Sequence, residues 1–207
     1  MIFMDCSYEN AAALKGYKYI CGIDEAGRGP LAGPVCAAAV ILPPDFDIEN
    51  LDDSKKLSEK KRELLYDVIT EKALAWSVAM ATHKEIDEIN ILQATFLAMK
   101  RAVEGLSLPA DYAIVDGNRM PPLDIDGETV VKGDSKCPSV AAASILAKVT
   151  RDRFMYELDK KLPEYAFVKH KGYGTALHYE RIAQYGVSEY HRLTFLKTLK
   201  EHINDKK

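Results

Sequence analysis

Asp24 and Glu25 stand side by side where the apolar run Ile20-Cys21-Gly22-Ile23 stops. Gly27-Arg28-Gly29 follows at once, then a second apolar run from Val35 to Leu42. Two further short runs close on acids: Ala113-Ile114-Val115 on Asp116, and Thr129-Val130-Val131 on Gly133-Asp134. Carboxylates brought to one place repel one another unless cations lie among them. Oxygen donors of this kind suit hard ions such as Mg²⁺ or Mn²⁺. Two such ions about 4 Å apart can activate water and stabilise a leaving oxygen at phosphorus. Glycines let backbone approach a ligand closely, so the loop amides and Arg28 could hold an anion. The chemistry indicated is metal-assisted attack on a phosphate.

Each acid also has a plainer reading. Asp116-Gly117 is a common turn pair. Asp152 is a rival ligand, but its neighbours Arg151 and Arg153 favour an ion pair. Asp124 and Asp126 read as solvated in a polar turn. The recurrence of acids at strand ends carries more weight than any one of them, because open α/β sheets bind ligands outside their strand ends.

The elements that must position these groups follow from pattern. Apolar runs between turn signals predict strands at about 18–24 and 34–42, with Pro43-Pro44 ending the second. Ser58 is placed to cap a helix to about residue 74, with Leu64, Leu65, Val68 and Ile69 on one side. A strand fits 75–81, and helices fit about 84–89 and 91–105. Short strands fit 113–115 and 129–131. Pro138 opens a long helical pattern over 139–162. A loop around 163–175 and two or three helices complete the chain, after a partly helical lead-in at 1–17. The order predicts a mixed α/β fold with one layered core and one domain over 1–207.

Composition narrows the class. The net charge is -3 over 207 residues, so the chain is no highly basic coating protein, although a local basic face suffices for nucleic acid. No long uncharged apolar run predicts a membrane span, and no basic-then-apolar leader opens the chain. A cytoplasmic protein is expected. Cys6, Cys21, Cys36 and Cys137 lack zinc-site spacing and read as packing residues. His83, His170, His178, His191 and His202 lack it too and read as structural.

Six segments, taken together, resemble type 2 ribonuclease H (ribonuclease HII) of the bacterial kind. They are Gly22-Ile23-Asp24-Glu25-Ala26-Gly27-Arg28-Gly29, Asp53-Ser54-Lys55-Lys56-Leu57, Val115-Asp116-Gly117-Asn118, Lys132-Gly133-Asp134-Ser135, Ala141 to Asp152, and His170-Lys171-Gly172-Tyr173-Gly174-Thr175. The resemblance spans about Tyr17 to Phe195 and implies a ribonuclease H-like mixed sheet flanked by helices, with a helical C-terminal part. It implies hydrolysis of RNA in RNA–DNA hybrids and nicking 5′ of single ribonucleotides in DNA, leaving a 3′-hydroxyl and a 5′-phosphate. Asp24, Glu25, Asp116 and Asp134 match the catalytic, metal-holding acids, with Asp134 in contact with one ion or orienting water. Gly27, Arg28 and Gly29 match the loop that senses the 2′-hydroxyl, and Tyr173 matches the tyrosine that stacks where RNA passes into DNA.

The 2′-hydroxyl is what distinguishes RNA from DNA, which gives such a loop its purpose. Lys55, Lys56, Lys148, Arg151, Lys169 and Lys171, with Ser54 and Ser144, are candidates to hold phosphates without reading bases. Lys60, Lys61 and Arg62 read as solvated. The expected partners are RNA–DNA hybrids and ribonucleotide-containing DNA, the expected cofactor is Mg²⁺ or Mn²⁺ as two ions, and a monomer is expected. A sugar-kinase or actin-like phosphotransferase, an inactive RNA–DNA-binding module and the sibling type 3 ribonuclease H are the alternatives. The second acid Glu25, the Gly-Arg-Gly loop and Tyr173 favour type 2.

Overall fold

The computed structural model describes residues 6–44, 46, 51, 54 and 57–196. Its sheet has five strands: β1 (Ile20–Ala26), β2 (Val35–Ile41), β3 (Ala75–Ala81), β4 (Tyr112–Asp116) and β5 (Asp126–Val130). They lie in the order β3-β2-β1-β4-β5. The β1–β2 and β2–β3 pairs are antiparallel, and β4 runs parallel to both β1 and β5. The helices are α1 (Ser7–Leu14), α2 (Glu59–Lys72), α3 (His83–Glu104), α4 (Pro138–Lys161), α5 (Phe167–His170) and α6 (Ala176–Tyr185). Among the described residues no helix is long and apolar enough to cross a membrane.

Strand β2, paired on both edges, is buried at every residue. Its sequence is apolar without alternation because both faces are covered. Ala37, Ala39 and Ile41 pack towards α3, with Ala94, Ala98 and Ala102. Ala38 and Val40 pack the other way, with Ala141, Ala142 and Ile145 of α4. Small residues line the α4 side, so that helix lies close on the sheet. A Cβ on Gly22 of β1 would sit 2.1 Å from the carbonyl carbon of Ser139.

Helix starts follow local chemistry. The Ser58 hydroxyl accepts from the Lys61 amide at the head of α2. Thr82 and Glu85 form a reciprocal capping box on α3. The break expected at residue 90 is present: Asn90 has φ 68°, and its Oδ1 accepts from Leu92 and Gln93 amides at 3.0 and 3.2 Å. Helix α4 starts on Pro138, and Glu9 of α1 accepts from both the Ser139 amide and hydroxyl. A carboxylate there complements the positive end of the helix.

Several sequence expectations are corrected. Leu64 is exposed, and only Leu65 and Ile69 of the α2 residues are buried. Strand β5 begins earlier than expected, and its Asp126 accepts from the Tyr17 hydroxyl at 2.6 Å instead of lying free in a turn. Asp134 does not end a strand: it lies in a 3-10 turn over Gly133–Ser135, past β5.

Candidate active site

Parallel pairing does most of the placing. Ile23 of β1 pairs with Val115 of β4, so one step on, Asp24 and Asp116 lie side by side at the carboxyl ends of both strands. Side chains alternate along a strand. Asp24 and Asp116 therefore leave from the face covered by α4, and Glu25 leaves from the face covered by α3. The three converge around the sheet end, where they line one pocket with Gly27, Arg28, Gly29, Ser54, Ser144, Lys148 and Tyr173. Asp134 is buried next door: the amide of its neighbour Gly133 donates to Asp116 Oδ1 at 2.7 Å.

Asp24 is buried at the focus of this group. Desolvation, then the charges of Glu25 and Asp116, raise its pKa well above the ordinary carboxylate value, while hydrogen bonds from Ser144 and the Glu25 amide oppose the rise. Such strain in a cluster of acids is what a bound cation relieves. Among the described residues no three His, Cys, Asp or Glu side chains already form a cage for an ion. The two-face geometry accounts for this, and Arg28 lies 3.4 Å from Glu25 Oε1. Mg²⁺ commonly takes one or two carboxylates together with substrate phosphate and water. The donor set therefore fits a hard ion that shares its ligands with phosphate.

Helix α4 contributes a stripe at four-residue spacing. Ser144 Oγ meets Ser54 Oγ at 2.9 Å, and Lys148 binds Asp152 at 2.7 Å. Asp152 thus pairs with Lys148, not with Arg151 or Arg153. Arg62, expected in solvent, instead donates to the carbonyls of Ser54 and Leu57 at 2.9 and 2.6 Å, tying those two residues to α2. Lys55, Lys56 and Asp53 lie outside the described residues.

Arg151, expected on phosphate, is buried and donates to the carbonyls of Ala32, Pro34 and Lys171. Lys171 lies over the Tyr156 ring and donates to Val168. Tyr173 is 44% exposed. Its ring edge would be 3.7 Å from a Cβ on Gly29, so the ring flanks the Gly-Arg-Gly loop.

Beneath Tyr173 lies a cluster that motif reading did not assemble: His170, His178 and His191. His170 and His178 stack at 4.2 Å, and His178 Nε2 meets His191 Nε2 at 3.1 Å. The tautomers follow from the partners. His178 Nδ1 faces the Tyr173 carbonyl, which can only accept. His178 Nε2 must then accept from His191 Nε2, and His191 Nδ1 accepts from the Ser188 amide. Burial holds the pKa of His178 down to about 3 and that of His191 to about 4.

The unfolded chain takes up these protons below about 6.5, whereas the folded protein does not. Stability is fully present above that pH and is lost as the pH falls towards 4, by about 1.4 kcal/mol per pH unit for each histidine. Asp24 titrates in the opposite sense, so the slope is best read in the Asp24→Asn variant. Urea unfolding between pH 7 and 4 measures it, and a flat profile would show that the rings are not held neutral.

A family profile described as ribonuclease HII matches residues 21–198. The chain belongs to the ribonuclease HII family. Ribonuclease HII of Clostridioides difficile is 55% identical over 192 residues, covering 93% of this chain and 75% of that protein. Ribonuclease HII of Dechloromonas aromatica is 60% identical over 176 residues, covering 85% and 90%. The crystal structure of ribonuclease H2 from Pyrococcus horikoshii OT3 superimposes with a TM-score of 0.73 at 28% identity, covering 90% of this chain and 99% of that one. As a member of the ribonuclease HII family the chain is a metal-binding endonuclease that hydrolyses RNA in RNA–DNA hybrids. The phosphotransferase alternative falls with this assignment.

Proposed function

We propose that the pocket at the ends of β1 and β4 cuts the phosphodiester on the 5′ side of a ribonucleotide, including a single one embedded in DNA. The observation that carries this reading is the meeting of Asp24, Glu25 and Asp116 with the Gly27–Gly29 loop and Tyr173 around one space. Two divalent ions, Mg²⁺ or Mn²⁺, would supply an activated water and charge stabilisation at the departing oxygen when bound. Asp24, Glu25 and Asp116 would hold them, with Asp134 orienting from beside Asp116.

The protein's other groups orient the strand. Backbone of Gly27, Arg28 and Gly29 meets the 2′-hydroxyl. The Tyr173 ring gives the next sugar a flat apolar platform that suits a deoxyribose. Ser54, Ser144, Lys148 and Lys55 are assigned to phosphates. The products are a 3′-hydroxyl and a 5′-phosphate.

The test is a duplex with one ribonucleotide, incubated with Mg²⁺ or Mn²⁺ and with chelator. A metal-dependent nick on the 5′ side is expected. Cuts in long hybrids without that nick would remove the roles given to Tyr173 and the Gly-Arg-Gly loop. Tyr173→Ala should cut the single-ribonucleotide rate at least tenfold. Its melting should change little, because the ring is largely at the surface and such substitutions usually move stability by about 0.5 kcal/mol. An unchanged rate would end the junction role.

A further inference from the structure

Arg192 is fully buried, and sequence reading gave it no role. Its guanidinium donates to three carbonyls of one loop: Gly27 at 2.7 Å, Arg28 at 2.8 Å and Gly33 at 2.9 Å. Its own amide donates to Leu31. Desolvation, then the charge of Arg151, lowers its pKa to about 9, which still leaves it charged at neutral pH. A buried cation bonded to backbone instead of a carboxylate is costly unless the fold needs those carbonyls held.

In a trans peptide the C=O and N–H point in opposite directions. The Gly27 and Arg28 carbonyls both turn inward to Arg192. The N–H groups of Arg28 and Gly29 must then turn away from Arg192, in a loop that lines the pocket. Gly27 has φ +92°, and a Cβ there would sit 1.9 Å from Arg151 Nε, so only glycine fits over the Arg151 side chain. Arg151 in turn holds Pro34 and Ala32 on this loop and Lys171 beside Tyr173. The Leu31 amide donates to the Gly172 carbonyl at 2.8 Å. The two substrate-facing loops are thus tied at a fixed span.

We propose that Arg192 is a positioning residue for ribonucleotide selection: it turns two consecutive peptide planes so that the Arg28 and Gly29 amides face the substrate, and with Arg151 it sets their distance from the Tyr173 ring. The proposal rests on the site reading given above. A lysine cannot do this, because a compact ammonium lacks the planar fork that reaches three carbonyls at once.

The experiment compares Arg192→Lys with the unmodified chain on a single-ribonucleotide duplex and on a uniform RNA–DNA hybrid. A uniform hybrid offers a 2′-hydroxyl at every step, so a displaced loop still finds one. A lone ribonucleotide offers a single position. The expected result is a fall in kcat on the single-ribonucleotide duplex at least tenfold greater than on the hybrid, with KM changed less than threefold. Equal falls on both substrates, or no fall, would overturn the proposal. Failure of the unmodified chain to nick at the ribonucleotide would instead overturn the site reading. Should Arg192→Lys not unfold cooperatively, amide exchange on the unmodified chain decides: Arg28 and Gly29 amides must gain protection when the ribonucleotide duplex binds in chelator, and unchanged exchange overturns the proposal.

Discussion

Asp24→Asn is expected to abolish hybrid cleavage while making the protein harder to unfold. The loss should be on the order of 10³-fold or more, equivalent to roughly 4 kcal/mol of barrier. The stability gain follows from the same burial. The folded protein disfavours the Asp24 carboxylate, first by desolvation and then by the charges of Glu25 and Asp116. Its folded pKa is raised, so the unfolded chain releases the proton first and stability falls as pH rises above about 4. Asparagine has no such charge and still accepts from the Glu25 amide, as Asp24 does at 2.7 Å. Hybrid cleavage in Mg²⁺ and thermal melting in chelator at pH 7.5 read the two effects. Full activity would remove Asp24 from the site. A lower melting temperature would mean that the carboxylate stabilises the fold. A gain in stability with loss of activity is the trade expected where function keeps strained charge in place.

Gly22→Ala should be the most damaging single methyl in the sheet. The new Cβ would fall 2.1 Å from Ser139 C and 2.3 Å from Val140 N. Both are backbone atoms of α4 and cannot rotate away. Overpacking costs about 1–3 kcal/mol where side chains can yield, and more where they cannot. A loss of at least ~3 kcal/mol is expected, which lowers the melting temperature by roughly 6–12 °C. Activity should fall too, because α4 carries Ser144 and Lys148 to the pocket. Gly117→Ala is the control. Nothing lies within 4 Å of its Cβ, and only its φ of +106° resists the change. Equal damage from both substitutions would show that α4 does not press on β1.

The parts legible in the sequence were those written in local chemistry. Buried runs gave strands, Ser58 and Pro138 marked helix starts, and residue 90 separated two helical stretches, where Asn90 caps the second. The acids at strand ends could be seen as a set, although only parallel pairing of β1 with β4 puts Asp24 beside Asp116. The Lys148–Asp152 pair was available from four-residue spacing but was hidden by nearer arginines. Arg151 left one clue: it interrupts the buried face formed by Ala147, Met155 and Leu158. Arg192 and the histidine cluster left none, because each is defined by partners that are distant in sequence or irregular in conformation. Leu64 was misread because a periodic pattern does not say where the apolar face ends.

The bonds from Arg192 to the Arg28 and Gly27 carbonyls span 164 and 165 residues. Closing so long a loop carries an entropic cost before any contact forms. Neighbouring strands β1 and β2, by contrast, meet across a short connection. The segment that would discriminate RNA from DNA is therefore encoded near the start of the chain but takes its shape from a residue made near the end. During synthesis, the acids of β1 exist long before the loop beside them has its final geometry, so the selectivity proposed for that loop would be a late property of this molecule.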